Sequence, residues 1–235
     1  MPSVDRRWMP LVLIGVAAVA SLLAYGSMPP TVELRLDGLL PFDTSEAADL
    51  VPRWLALSLV PAIALVVWAS FRAAPTTAGQ RVGRLFLRGV PDEVTSPEQF
   101  ARFARTYDAI VLGVVLLLLG VHAAIIAGAL GYTDLAVRLV PAVLGACLIL
   151  MGNVMPRLRP NWVAGVRTKR TLGDPRLWRT THRAFGAAFV VAGALTIVVA
   201  LAAPRYGLVT GIASLMLACI VGFIVSTRTE PVASQ

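Results

Sequence analysis

Between Gly152 and Arg183 the chain holds polar residues that apolar packing does not explain: Asn153, Arg157, Arg159, Asn161, Arg167, Thr168, Trp178, His182 and Arg183. Guanidinium groups can fork onto carbonyls, phosphates or a partner's carboxylates. The two amides can satisfy backbone released at a helix end, and the charge of His182 can respond near neutral pH or the ring can simply be hydrogen-bonded. A second place is formed by His122 and Arg138, which lie inside apolar runs where polar groups are costly. Asp134 stands one turn before Arg138, so a snorkelling ion pair is expected there. His122 has no carboxylate at helical spacing. Paired carboxylates inside the spans, a metal-ligand cluster, a nucleophile with its base and a phosphate-binding glycine loop are all missing from the sequence. The pattern suits binding rather than turnover, and no enzyme, cofactor or metal is expected.

Membrane helices must position these residues. Of 235 residues 57% are hydrophobic and only 14% charged, with a mean hydropathy of +0.75, against roughly 25% charged in soluble domains. A water-soluble globular domain is excluded. Apolar runs fall at about 10–27, 53–71, 109–130, 135–155, 184–203 and 207–226, each near the roughly 20 residues of a spanning helix. The expected fold is an all-α bundle of six transmembrane helices, the first retained as a signal anchor. Cys147 and Cys219 both lie within such runs and read as small apolar packing residues.

The charge pattern orients the bundle. All Lys and Arg except Arg35, Arg53, Arg138 and Arg205 fall before the first run, in the second and fourth loops, or in the tail. Cationic segments near span ends stay cytoplasmic, so both termini are expected inside. The first loop carries Glu33, Asp37, Asp43, Glu46 and Asp49, an acidic extracytoplasmic face. Residues 1–72 then hold two spans and this loop, 73–108 an Arg-rich cytoplasmic loop, and 109–235 a four-span region with a polar loop at 152–186. The net charge of +8 is best matched by anionic lipid head groups rather than nucleic acid.

Local signals place two helix starts. Ser96-Pro97-Glu98-Gln99 is a capping box expected to open an amphipathic helix, with Phe100, Phe103 and Tyr107 on one side and Arg102 and Arg105 on the other. Asp174-Pro175 should start a second helix that runs unbroken into span five. At 100° per residue, Trp178, His182, Phe185 and Phe189 share one face while Arg176, Arg179 and Arg183 share the other. Asn161, Arg167, Trp178 and His182 are expected to form one packed polar cluster. Small residues at four-residue spacing (Ala184 to Ala200, Thr210 to Ser226) predict a tight antiparallel pair of spans five and six.

The segment Gly152-Asn153-Val154-Met155-Pro156-Arg157-Leu158-Arg159-Pro160-Asn161, then Gly165-Val166-Arg167-Thr168, Thr171-Leu172 and Trp178-Arg179-Thr180-Thr181-His182-Arg183 resembles the SdpI family of bacterial membrane immunity proteins. That family has G-N-x-M-P-K-x-x-P-N, G-I-R-T-P-W-T-L and W-x-x-T-H-R between spans four and five of a six-span fold. Pro29-Pro30-Thr31-Val32 is similar to its L-P-x-x-V stretch, whereas Lys169-Arg170 stands where the family has Pro-Trp. The resemblance implies a bacterial cell-membrane protein giving resistance to a membrane-active toxin peptide, with a cytoplasmic transcriptional autorepressor as a second partner. A small transporter, or an accessory subunit of a membrane enzyme built around His122, is the alternative.

Overall fold

The computed structural model describes residues 8–34, 49–73, 97–161 and 164–228, with backbone alone at 34, 49 and 97–105. In chain order these form α1 (Met9–Tyr25), β1 (Thr31–Leu34), β2 (Asp49–Pro52), α2 (Arg53–Ala73), α3 (Pro97–Ala129), α4 (Thr133–Val154) with a 3-10 turn at Met155–Arg157, α5 (Lys169–Gly173), α6 (Pro175–Ala202) and α7 (Pro204–Arg228). Among the described residues, five helical stretches are long and apolar enough to cross a membrane: Arg53–Ala73, Thr106–Ala129, Thr133–Arg157, Pro175–Ala202 and Pro204–Arg228. Met9–Tyr25 is equally apolar but only 17 residues long, about 25 Å at 1.5 Å per residue. The chain is a mostly helical multi-pass membrane protein.

The purely helical expectation needs one correction. β1 and β2 pair antiparallel, Thr31 opposite Pro52 and Leu34 opposite Asp49. The strands let the segment between α1 and α2 satisfy its backbone groups where no helix can do so. Val32 faces inward and is buried with Met28, Ala56 and Leu57 against Ile125 and Ile126 of α3. Asp37, Asp43 and Glu46, the rest of the expected acidic loop, lie outside the described residues, as do Ser96 of the expected capping box and the side chains of Phe100, Arg102, Phe103 and Arg105. Helix α3 does begin at Pro97 and continues without a break into the membrane stretch.

On the other side of the bundle, Tyr107 is buried and donates its hydroxyl to the Phe71 carbonyl at 2.6 Å. Next to it Arg72 and Asp108 form an ion pair at 3.2 Å. Together they fix the end of α2 to the side of α3.

Helix ends leave four carbonyls without partners, and three arginines answer that need. Arg53 donates to the carbonyls of Tyr25 (3.2 Å) and Met28 (3.0 Å) beyond α1, with its guanidinium 4.2 Å from the Tyr25 ring centroid. Arg138 donates to Leu201 O in the last turn of α6 at 2.6 Å, and Arg170 to Thr227 O at the end of α7 at 2.6 Å. The expected ion pair of Arg138 with Asp134 is therefore replaced by a cap. The negative end of a helix dipole outcompetes an exposed carboxylate one turn away. Arg138→Leu should accordingly destabilise the protein by about 1–2 kcal/mol, and Asp134→Ala by less than about 0.5 kcal/mol. Thermal unfolding of both variants in detergent distinguishes the two accounts.

The C-terminal helices pack most closely. α6 and α7 are joined through Ala203 alone, and along their antiparallel seam Ala192, Thr196, Ala200, Ala218, Gly222 and Ser226 are buried, as their four-residue spacing predicts. A second seam, between α4 and α6, is tighter still. A Cβ on Gly145 would lie 2.7 Å from the Gly193 carbonyl, and a Cβ on Gly152 would lie 2.6 Å from the Gly186 carbonyl. The two glycine pairs sit seven residues apart on each helix, so two backbones touch on consecutive heptads. Helix α3 packs on α4 and joins the group α1, α2, α3 to the group α4, α6, α7.

Candidate functional site

The hairpin between α4 and α6 starts where helical geometry fails. Pro156 cannot donate to the Gly152 carbonyl and disfavours helix in the residue before it, so α4 ends at Val154 and one 3-10 turn follows. Asn153 does not bridge to the hairpin. Its Nδ2 donates to Ile149 O at 2.9 Å, on its own helix, and its side chain is exposed. Ile149 O lies inside α4 rather than among the carbonyls freed at its end, so the expected use of this amide on freed backbone is not what the structure shows.

Helix α6 starts as its sequence requires. Asp174 accepts from the N–H of Arg176 at 2.7 Å and of Leu177 at 3.3 Å, and Pro175 occupies the first turn. That start sets the phase of the helix. Trp178, His182, Phe185 and Phe189 are all buried, whereas Arg176, Arg179 and Arg183 are exposed.

Trp178 and His182, both 0% exposed, are stacked with ring centroids 3.9 Å apart, and they hold the hairpin down at two points. The Trp178 indole N–H donates to Leu158 O at 2.8 Å. The backbone N–H of Val166 donates to His182 Nε2 at 3.1 Å, and His182 Nδ1 lies 2.8 Å from Trp178 O. Because an amide N–H can only donate, Nε2 must carry a lone pair, and Nδ1 must carry the proton that meets the carbonyl. The ring is thereby fixed as the neutral Nδ1–H tautomer, spanning two main-chain groups twelve residues apart.

Gly165 makes this possible. Its φ is +107°, and a Cβ there would run into His182 Nε2. Only glycine gives both that backbone conformation and that clearance.

Beyond this contact the loop folds on itself. Thr171, fully buried, donates its hydroxyl to Val166 O at 2.7 Å, and Thr168 and Thr171 form a reciprocal capping box that opens α5. Asn161, also 0% exposed, donates from Nδ2 to Arg159 O and accepts from Ala164 N, both at 2.8 Å. The structure thus brings Asn161, Thr168, Trp178 and His182 into one hydrogen-bonded hairpin. Thr171 is the member that the sequence reading missed; the pair Thr168-x-x-Thr171 was its signal.

Arg157, Arg159, Arg167 and Arg183 instead lie on the exposed side, which corrects the expectation that Arg167 is packed inside the cluster. The flanking backbone of Val166 and Thr168 is what the cluster holds; an interior guanidinium would carry a desolvation cost of several kcal/mol. Partial desolvation still pulls the pKa of Arg167 below the ordinary arginine value, and the group stays cationic at neutral pH. Lys169 and Arg170 occupy the first two positions of α5 with exposed side chains. Among the described residues, no three His, Cys, Asp or Glu side chains gather as a metal site would need.

The hydrogen-bonded hairpin thus carries exposed arginines beside the apolar helices. Residues 157–227, from the 3-10 turn to the last turn of α7, match the family model described as SdpI/YfhL protein family. No curated protein and no solved structure matches the chain. Over the segment 157–227 the chain is similar to the SdpI/YfhL family.

Proposed function

We propose that this protein is a membrane immunity protein of the bacterial cell membrane, giving resistance to a membrane-active toxin peptide by binding, without chemical turnover. The observation that supports the reading most is the coincidence of the family match at 157–227 with the hairpin that Trp178, His182 and Asn161 hold together. Six spans with both termini in the cytoplasm agree with the arginine distribution. The hairpin then faces the cytoplasm, where Arg157, Arg159, Arg167 and Arg183 meet anionic lipid head groups and can engage a carboxylate-bearing partner such as an autorepressor.

The test is expression in a sensitive bacterium challenged with toxin peptides encoded beside the gene, against an empty vector. Wild type should protect, and Arg167→Ala should lose protection at least tenfold while reaching the membrane at normal abundance. Arg167→Lys should fail as well, since Lys keeps the charge and loses the planar fork. Absence of protection by wild type against every such peptide would sink the immunity reading. Labelling of a single Cys placed at Thr168 by an impermeant reagent in intact cells would overturn the orientation.

A further inference from the structure

The hairpin leaves two polar residues of its own motif unused. Asn153 is exposed and donates only to its own helix, and Arg157, also exposed, makes no hydrogen bond or ion pair among the described residues. Neither stands alone on the helix. At 100° per residue Ala146, Leu150 and Asn153 fall within about 60° of one another on α4, and Arg157 follows one turn beyond Asn153, in the 3-10 turn. Counterions for that end of the chain are scarce. From Leu150 to Arg228 the sole carboxylate is Asp174, which caps α6.

Ala146 and Leu150 belong to the wall of a cavity. α1 and α4 each pack on α3 and leave between them a space of about 560 Å³ with almost wholly apolar walls. Its lining runs along α3 from Gly113 to Ile126, about 20 Å at 1.5 Å per residue, more than the roughly 15 Å half-thickness of a bilayer's hydrocarbon core. Over that length the space averages about 28 Å² in cross-section, against roughly 80 Å² for a helix 10 Å across. A helix is too wide for it, whereas a single hydrocarbon chain is not. Water would find almost no polar partner there. The channel also opens sideways, because among its walls Val16 is 60% and Leu116 41% exposed, and Ala123 and Ala146 are exposed as well. In a bundle that crosses a membrane, what lies against such walls is acyl chain.

We infer that this channel holds one acyl chain of an anionic phospholipid, whose phosphate is bound by the Arg157 guanidinium about 10 Å beyond the Leu150 wall, with Asn153 at the level of its glycerol backbone. The inference rests on the membrane reading given above and not on resistance to a toxin. It gives Arg157 a partner that the positive charge around it favours, and it gives the gap between α1 and α4 an occupant of matching girth.

The test uses the full-length protein in phosphatidylcholine nanodiscs carrying a trace of phosphatidylglycerol with a diazirine in its acyl chain, and phosphatidylcholine with the same chain as the neutral comparison. Mapped crosslinks should concentrate on the channel walls of α1, α3 and α4 rather than on the exposed faces of α6 and α7. Phosphatidylglycerol should label those walls roughly fivefold more than phosphatidylcholine, the ratio expected of one arginine beside an anionic head group. Arg157→Gln should bring the two lipids within about twofold of each other at the walls, whereas Arg179→Gln, which removes an exposed guanidinium from α6, should leave the preference as it is. Ala146→Phe fills the channel from an exposed position and should abolish most wall labelling by both lipids with thermal unfolding unchanged. Wall labelling no stronger than on α6 and α7, or equal labelling by the two lipids in wild type, would overturn the inference. Wall labelling that falls as the protein is driven to dimers would place a second copy in the channel and overturn it too. No readout here involves a toxin, so failure of the protection assay and failure of this one are separate results.

Discussion

Gly152→Val should destabilise the folded bundle by at least about 3 kcal/mol, with loss of most folded protein from the membrane. The added Cβ would lie 2.6 Å from the Gly186 carbonyl, 2.8 Å from Val190 Cγ2 and 2.9 Å from Val190 N. Two of those neighbours are main-chain atoms of α6, so no rotamer change can make room. The helices would have to part, and parting them would break the second contact at Gly145 and Gly193 as well. Gly193→Val should behave like Gly152→Val for the same reason. Gly15→Val is the control, because nothing lies within 4 Å of a Cβ at Gly15 and only local helix propensity changes there. Thermal unfolding in detergent, read by tryptophan fluorescence, gives the comparison. A Gly152→Val protein melting within a few degrees of wild type would show that α4 and α6 do not touch at these residues.

Gly165→Ala should also be strongly damaging, and its damage should depend on His182. Two costs add: about 1–2 kcal/mol for putting a Cβ in a left-handed backbone conformation, and the displacement of an imidazole whose nitrogen the new methyl would overlap. Moving the ring breaks the bond from Val166 N–H and leaves a donor without its acceptor. In a His182→Ala background the second cost is already gone, so Gly165→Ala should cost only the backbone term there. A double-mutant cycle measures the difference as a coupling energy, expected at about 1–3 kcal/mol. Equal costs in the two backgrounds would mean that the loop does not sit on His182. The ring nitrogens add a spectroscopic check: ¹⁵N shifts at neutral pH should report the Nδ1–H tautomer in wild type.

What could be read before folding was local. Asp174-Pro175 determines where α6 starts and hence which face Trp178 and His182 share, because a helix has only one phase once its first turn is placed. Pro156 marks the end of α4 by the same kind of short-range sterics. The rest needed partners that sequence spacing does not name. Gly145 and Gly152 lie seven apart, as do Gly186 and Gly193, yet nothing in either helix says that the two rows oppose each other. Arg138 had a carboxylate at helical spacing and took a carbonyl 63 residues away instead. Arg167 belongs to the strongest sequence pattern in the chain and still lies on the outside, since what that pattern specifies at 165–168 is a main-chain path around His182.

The glycine seam bears on how such a protein could be inherited in parts. The family match begins at 157, so it contains Gly186 and Gly193 but neither Gly145 nor Gly152. Half of each contact lies upstream of the matched segment, although Gly152 opens the motif at 152–161. A gene fusion or recombination that carried 157–227 alone into a new chain would deliver α6 with a bare backbone strip and no helix shaped to cover it. The smallest segment that could be exchanged intact therefore starts at Thr133, with α4. Substitution at Gly145 or Gly152 should be as constrained in descent as in the matched segment, although a sequence comparison over 157–227 passes over both.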